Sequence, residues 1–269
     1  MSSDATMITY FAYGSNINLT SLRAKGVEPI ASKRALLRGW KLRFNVKHWF
    51  RHEGGVGNIQ PSSNPGDLVE GMLHVFPDEQ LNSLDSMESY GFGYDRIVVP
   101  VETDDGNMSG FAYVGLPGFL DDDCLPSRRY LNIITRGAEA AGLSKKYVDD
   151  LRRHAIHVPD EYPPFVYPPD NGISYTAQTL APHKNLTALA GAVFDMQHAN
   201  TRLACLLDLF GGKDMTLFHV KRHDTSSGNE TEHDILTGNI TPEAKKYINT
   251  YLHEYAREFI YVARFKPEI

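Results

Sequence analysis

The chain has 269 residues, 42% of them hydrophobic and 22% charged, with a formal net charge of −6. Its mild acidity excludes a bulk electrostatic drive toward nucleic acid or an anionic membrane. No apolar run approaches the roughly 20 residues that span a bilayer, and two distant cysteines, Cys124 and Cys205, make no disulfide framework. The opening MSSDATMITYFAYG has neither a basic segment nor a long apolar stretch, so a reducing, cytoplasmic setting is expected rather than secretion.

In chain order, Met7 to Tyr13 is apolar, aromatic and β-branched, and reads as a strand that stops at Gly14-Ser15-Asn16. A helix is expected near Leu19–Lys25. Strands are expected at 37–46, 68–76, 95–102 and 109–114, separated by turn signals at Asn64-Pro65-Gly66 and Asp104-Asp105-Gly106-Asn107. Short helices fit 78–87, 127–141 and 144–154. Strands first and helices late point to an α+β domain built on a small barrel with peripheral helices.

Residues 158–172, VPDEYPPFVYPPDNG, carry five prolines and a closing Asn-Gly, which forbid a regular helix or central strand. The segment reads as an extended linker between a domain at 1–157 and a smaller α+β domain at 173–269. In the second piece a short helix is expected at 176–183, one strand at 188–194, a helix at 202–210 and a mobile polar loop at 224–233. The last helix is plain: Thr241 is a good N-cap, Pro242 stands at the first helical position, and Ala244, Tyr247, Ile248, Tyr251, Leu252, Tyr255 and Phe259 share one face. That aromatic stripe reads as a core-facing surface.

The most informative string is Tyr10-Phe11-Ala12-Tyr13-Gly14-Ser15-Asn16. Glycine lets the backbone turn sharply and a ligand approach closely, and successive N–H groups in such a turn can cradle an anion. A bare Gly-Ser-Asn turn is common, but the full string resembles the signature of the γ-glutamyl cyclotransferase family. Three further landmarks follow in family order: His52-Glu53-Gly54-Gly55 before a strand, Leu84-Asp85-Ser86-Met87-Glu88 after a strand and helix, and Pro126-Ser127-Arg128-Arg129-Tyr130 opening a late helix. The resemblance covers about residues 8 to 162. One departure is Ser89, where the family often has Gly after its glutamate, so the local turn could differ.

The resemblance implies an amide-cleaving lyase of acyltransferase type. It would act on a small-molecule γ-glutamyl substrate (a dipeptide, amine or glutathione adduct) and release 5-oxoproline and a free amine. It implies Glu88 as the catalytic acid and base, and Tyr10, Phe11, Ala12, Tyr13, Gly14, Ser15, Asn16 and Tyr130 as substrate-binding residues, with no metal or cofactor. A carboxylate in that role works best when partial burial raises its pKa toward neutrality. The resemblance also suggests a glutathione conjugate from secondary metabolism, as in fungal sulfur-containing toxins, and leaves room for a homodimer. Two other readings stay open: a binding protein that kept the fold without activity, and a small-molecule module in the second piece.

That piece is similar to a degenerate cytochrome b5-like fold. Its residues 174–184 lead into Gly191-Ala192-Val193-Phe194-Asp195, and Gly211-Gly212-Lys213-Asp214-Met215-Thr216 comes later. The haem-binding His-Pro-Gly-Gly is replaced by Thr201-Arg202-Leu203-Ala204-Cys205, so no haem is expected.

Overall fold

The computed structural model describes residues 6–267; the first five residues, part of the N-terminal stretch considered above, and the last two lie outside the described residues. The chain forms two compact units, one of Met1–His48 and Glu53–Pro159, the other of Trp49–His52 and Asp160–Ile269.

In the first unit, strands β1 (Met7–Ala12), β2 (Ala31–Arg38), β5 (Leu68–Pro77), β6 (Tyr94–Thr103) and β7 (Gly106–Gly115) close into a barrel in the order β1-β5-β2-β6-β7. All pairings are antiparallel except β1 with β7, which closes the barrel in parallel at Tyr10 and Phe111. Strands β3 (Trp40–Lys47) and β4 (Gly55–Pro61) form a separate two-stranded ribbon. The single strand expected at 37–46 is therefore two. The chain turns at Gly39, whose φ of +73° needs a residue without a Cβ, and the continuous apolar alternation hid the turn. β4 is the strand that the resemblance places after Gly54-Gly55, although no residue pattern marks its bounds.

Helices α1 (Leu19–Arg23), α2 (Leu81–Glu88), α3 (Arg128–Ala140) and α4 (Lys145–Arg153) surround the barrel. Each helix start but one is capped by a side chain: Asn18 accepts from the Thr20 and Ser21 amides, Ser127 from Tyr130, and Ser144 from Tyr147. The alternation of β1 sorts its side chains. Tyr10 and Ala12 join Leu22, Leu84, Leu131 and Ile134 from the helices, whereas Phe11 and Tyr13 join a cluster drawn from all five barrel strands. The unit is the α+β barrel with peripheral helices that the sequence pointed to.

The second unit is a smaller α+β assembly. A four-stranded sheet, ordered β8 (Ser174–Tyr175), β11 (Ile260–Phe265), β10 (Ala192–Asp195), β9 (Leu186–Leu189), packs with α5 (Ala177–Leu180), α6 (Cys205–Phe210), α7 (Thr216–Lys221), α8 (Glu232–Thr237) and α9 (Pro242–Glu258). The strand expected at 188–194 is a hairpin, split at Ala190-Gly191, where both residues have positive φ as a two-residue hairpin turn requires. Helix α9 begins as expected, with the Thr241 side chain accepting from the Ala244 amide and Pro242 in the first turn. The polar stretch around 224–231 is organised by Glu230, which accepts from the Ser227 and Gly228 amides and from the Ser226 and Ser227 hydroxyls.

Residues 160–172 have no regular secondary structure but are held. The Phe165 amide donates to Asn249 Oδ1 at 2.7 Å, and the Pro163 carbonyl accepts from Asn249 Nδ2 and His253 Nε2, each at 2.9 Å. Phe50 completes the core of this unit, its ring 5.2–5.3 Å from those of Tyr251 and Tyr255.

Candidate active site

The candidate site forms where the end of β1 meets the end of α2. After Ala12 the backbone leaves the barrel and makes a single 3-10 turn at Ser15–Ile17, tied by the Ile17 amide to the Gly14 carbonyl at 3.1 Å. Helix α2 is anchored by Leu84, which is fully buried. Glu88 lies four residues on, and i,i+4 residues share a helix face, so the packing of Leu84 turns the carboxylate inward. One residue from Leu84, Asp85 accepts the Tyr113 hydroxyl at 2.6 Å and faces Arg96 at 3.5 Å, which fixes the helix against β6 and β7.

Ser89 then ends the helix at φ +52° and ψ +47°. This is the left-handed cap that glycine usually supplies. Here a serine adopts that conformation and carries its strain.

The Glu88 side chain is 16% exposed. Its Oε1 receives Lys25 Nζ at 2.6 Å and Asn16 Nδ2 at 2.9 Å. Asn16 donates its second N–H to the Tyr10 hydroxyl at 2.8 Å and accepts Lys25 Nζ on Oδ1 at 2.7 Å. One buried amide thus spends both donors and its acceptor in joining a phenol, an ammonium and a carboxylate. A leucine at this position could make none of these bonds. Burial raises the Tyr10 pKa well above its usual value, and the nearby Glu88 charge adds to it, so this phenol stays protonated.

Tyr130, at the start of α3, reaches the same loop. Its hydroxyl accepts the Gly57 amide at 3.0 Å. A Cβ on Gly14 or on Gly57 would stand 2.9 Å from that hydroxyl, so the close approach of loop, ribbon and helix needs glycine at both places. Burial pushes the Tyr130 hydroxyl up to about 12; the Gly57 amide pulls the other way, and the charge on Glu88 raises it further. Glu53 from the second landmark binds Arg129 Nη2 at 2.5 Å and so seats the first turn of α3.

Of the residues expected to bind substrate, Tyr10, Gly14, Ser15, Asn16 and Tyr130 gather around Glu88 or the turn that faces it. Three side chains do not. Phe11 and Ala12 are both at 0% exposure, so no substrate can touch their side chains, and what they add is the path of the strand. The Tyr13 hydroxyl donates back to the Tyr113 carbonyl at 2.5 Å, which directs the ring into the barrel cluster.

Sequence reasoning missed Lys25, His74, Tyr94 and Tyr113. His74, on β5, is fully buried, with Nε2 3.0 Å from the Asn16 carbonyl and Nδ1 2.8 Å from the Ser32 hydroxyl. A carbonyl only accepts, so Nε2 carries the proton and the neutral ring suits both partners. Tyr94 holds the Gly57 carbonyl at 2.8 Å. A lone lysine after a one-turn helix and a histidine within a strand carry no local signal of such roles.

A mixed barrel with a buried carboxylate facing a Gly-Ser-Asn turn defines a class, and comparison with known proteins names it. The AIG2-like family matches residues 68–151. γ-Glutamylcyclotransferase of Mus musculus is 31% identical over 157 residues, 57% of this chain and 80% of that protein. The chain belongs to the γ-glutamylcyclotransferase family. γ-Glutamyl cyclotransferase gliK of Claviceps purpurea is 25% identical over 146 residues, 51% of this chain and 65% of that protein. Among solved structures, an uncharacterized protein of Homo sapiens is 29% identical with a TM-score of 0.50, covering 60% of this chain and 94% of its own.

Proposed function

We propose that the chain cleaves a γ-glutamyl amide by intramolecular cyclisation, with Glu88 moving the proton. In a γ-glutamyl amide the α-amine and the δ-carbonyl share one short chain. The amine nitrogen attacks the δ-carbon, a C–N bond closes the five-membered ring, and the C–N bond to the leaving amine breaks. Two obstacles slow this in water: the amine is mostly protonated near neutral pH, and an amide nitrogen leaves poorly. A carboxylate answers both, taking a proton from the α-ammonium before attack and giving it to the departing nitrogen, while the second proton lost by the ring nitrogen passes to solvent. No electron changes hands, and no covalent intermediate with the protein is formed.

The observation that carries this reading is the state of Glu88. It is largely enclosed, held by two donors on one oxygen, and faces a turn whose glycine permits close approach. Backbone N–H groups of the Tyr13–Ser15 turn would orient the substrate's α-carboxylate or the developing oxyanion, an advantage for ring closure because amine and carbonyl are then fixed together. As to the leaving group, the reading put to the test is a glutathione conjugate rather than a simple dipeptide; gliK of Claviceps purpurea, to which the chain is similar, is itself a γ-glutamyl cyclotransferase.

The test is 5-oxoproline release from γ-Glu-Ala, glutathione and a glutathione S-conjugate, with Glu88→Gln as control. Wild-type release with a loss of roughly 10²- to 10⁴-fold in the variant is expected, the range typical of a general acid–base group. Release from γ-Glu-Ala alone would overturn the conjugate assignment. No release from any of the three would indicate a binding protein on this fold, and unchanged release in Glu88→Gln would move the chemistry to another group.

A further inference from the structure

We infer that Lys25 is a positioning residue for this reaction, one that keeps Glu88 in the ionised form needed to accept the substrate's ammonium proton. The inference rests on the proposed role of Glu88 and deepens it.

Burying an ammonium costs several kcal/mol unless the protein pairs it and fills its hydrogen bonds. The Lys25 side chain is only 6% exposed. Its Nζ lies 2.6 Å from Glu88 Oε1, 2.7 Å from Asn16 Oδ1 and 3.5 Å from Ser15 Oγ. These three contacts fall on the turn or on the carboxylate opposite it, and they suit the donors of an ammonium.

The backbone is tied to the same helix. The Lys25 carbonyl accepts the Ser83 hydroxyl at 2.8 Å, and Ser83 lies on α2, five residues before Glu88. The next residue, Gly26, stands at φ +78° with no room for a Cβ beside Ser83 Oγ, 2.6 Å away. Main chain and side chain of Lys25 are therefore fixed to one element, the element that carries Glu88. A lysine recruited only to cover surface would not be held at both ends.

The consequence is chemical. A carboxylate that is 16% exposed and deprived of its cation takes up a proton more readily, by the combined effect of burial and a lost opposite charge. A protonated carboxyl cannot accept the proton of the α-ammonium. Lys25 thus sets the acid side of the working pH range, and Asn16 carries its orientation to the turn.

The experiment compares wild type, Lys25→Met and Lys25→Arg in the full chain. The pH profile of kcat/KM is measured with whichever substrate releases 5-oxoproline. The Glu88 side-chain carboxyl is titrated by ¹³C NMR, its signal assigned by its absence in Glu88→Gln. In Lys25→Met the acid limb and the carboxyl midpoint should both move up by roughly 1–3 pH units, the usual effect of an adjacent cation. Lys25→Arg, which keeps the charge, should restore most of the wild-type limb.

A folded Lys25→Met whose limb and midpoint both match wild type would overturn the inference, even if its rate fell uniformly. If wild type releases no 5-oxoproline, the proposed activity fails while the carboxyl titration still decides whether Lys25 controls Glu88. Should Lys25→Met fail to fold, Lys25→Gln is read in the same two ways.

Discussion

The two units bury polar groups for different ends. In the barrel unit Tyr10, Asn16, Lys25 and His74 are buried, and their bonds converge on one carboxylate and the turn that faces it. In the second unit the interior is a nest of rings in which Phe50, Phe194, Phe210, Tyr251, Tyr255 and Phe259 pack edge-on or stacked. Its buried polar groups work as fasteners. Glu254, 1% exposed, accepts the Arg51 amide, the Tyr162 hydroxyl and Arg257 Nη1. His219 Nε2 meets the Tyr255 hydroxyl at 2.9 Å. The same kind of residue holds a reactive group ready in one place and joins separate pieces of chain in the other. The difference lies in whether the bonds lead to a partly open carboxylate or end within the core.

This contrast can be broken most directly at Phe50. Replacing it with alanine should cost the second unit about 3–5 kcal/mol, the usual loss for a fully buried aromatic ring, measured as a fall in the urea midpoint. A loss under about 1 kcal/mol would mean that the ring nest is loosely packed and adds little.

The next effect belongs to His74. Burial lowers its pKa to about 4, with the Asn16 carbonyl opposing the shift. The unfolded chain binds that proton near 6.5, so the folded state binds fewer protons between those values. Stability attributable to His74 is complete above about 6.5 and is lost as pH falls toward about 4, by ~3 kcal/mol in all. Urea unfolding across that range should show this slope, and His74→Gln should flatten it. A slope unchanged in the variant would assign the acid sensitivity to other groups.

The smallest expected effect sharpens the site. Tyr130→Phe keeps the ring but leaves the buried Gly57 amide without its acceptor, at about 1–2 kcal/mol. Thermal unfolding should register that cost. An effect on stability with no change in turnover would limit Tyr130 to supporting the loop.

Much of this was legible in the sequence where the local physics is strong. Strand β1, the turn at Gly14, the cap Thr241 and the inward face of α9 follow from residue types at fixed spacings. So does the place of Glu88 at the end of a short helix. What escaped depends on the rest of the fold. The turn at Ala190-Gly191 sits inside an unbroken apolar run, and alanine gives no hint that it will adopt φ +46°. Strand β11 follows α9 directly, with no glycine or proline between them to mark its start, and it was not expected. Lys25 looks like any surface lysine until α2 is laid against it. Residues Trp49–His52 lie early in the sequence, and nothing local shows that Phe50 fills a core formed by residues two hundred positions later.

The parallel closure of the barrel has a consequence for its dynamics. Strands β6 and β7 are paired from Tyr94 and Gly115 down to Thr103 and Gly106, whereas β1 and β7 share register only at Tyr10 and Phe111. Fewer backbone bonds must therefore part here than between β6 and β7, and amide exchange along the two seams would show whether that lowers the local cost of opening. The stacked rings of Tyr10 and Phe111, 5.0 Å apart, add a side-chain contact at the one register pair of that seam. Strand β1 also carries the Gly-Ser-Asn turn, so every transient parting of the seam loosens the turn as well. Any ligand that tightens the turn would slow amide exchange along the seam.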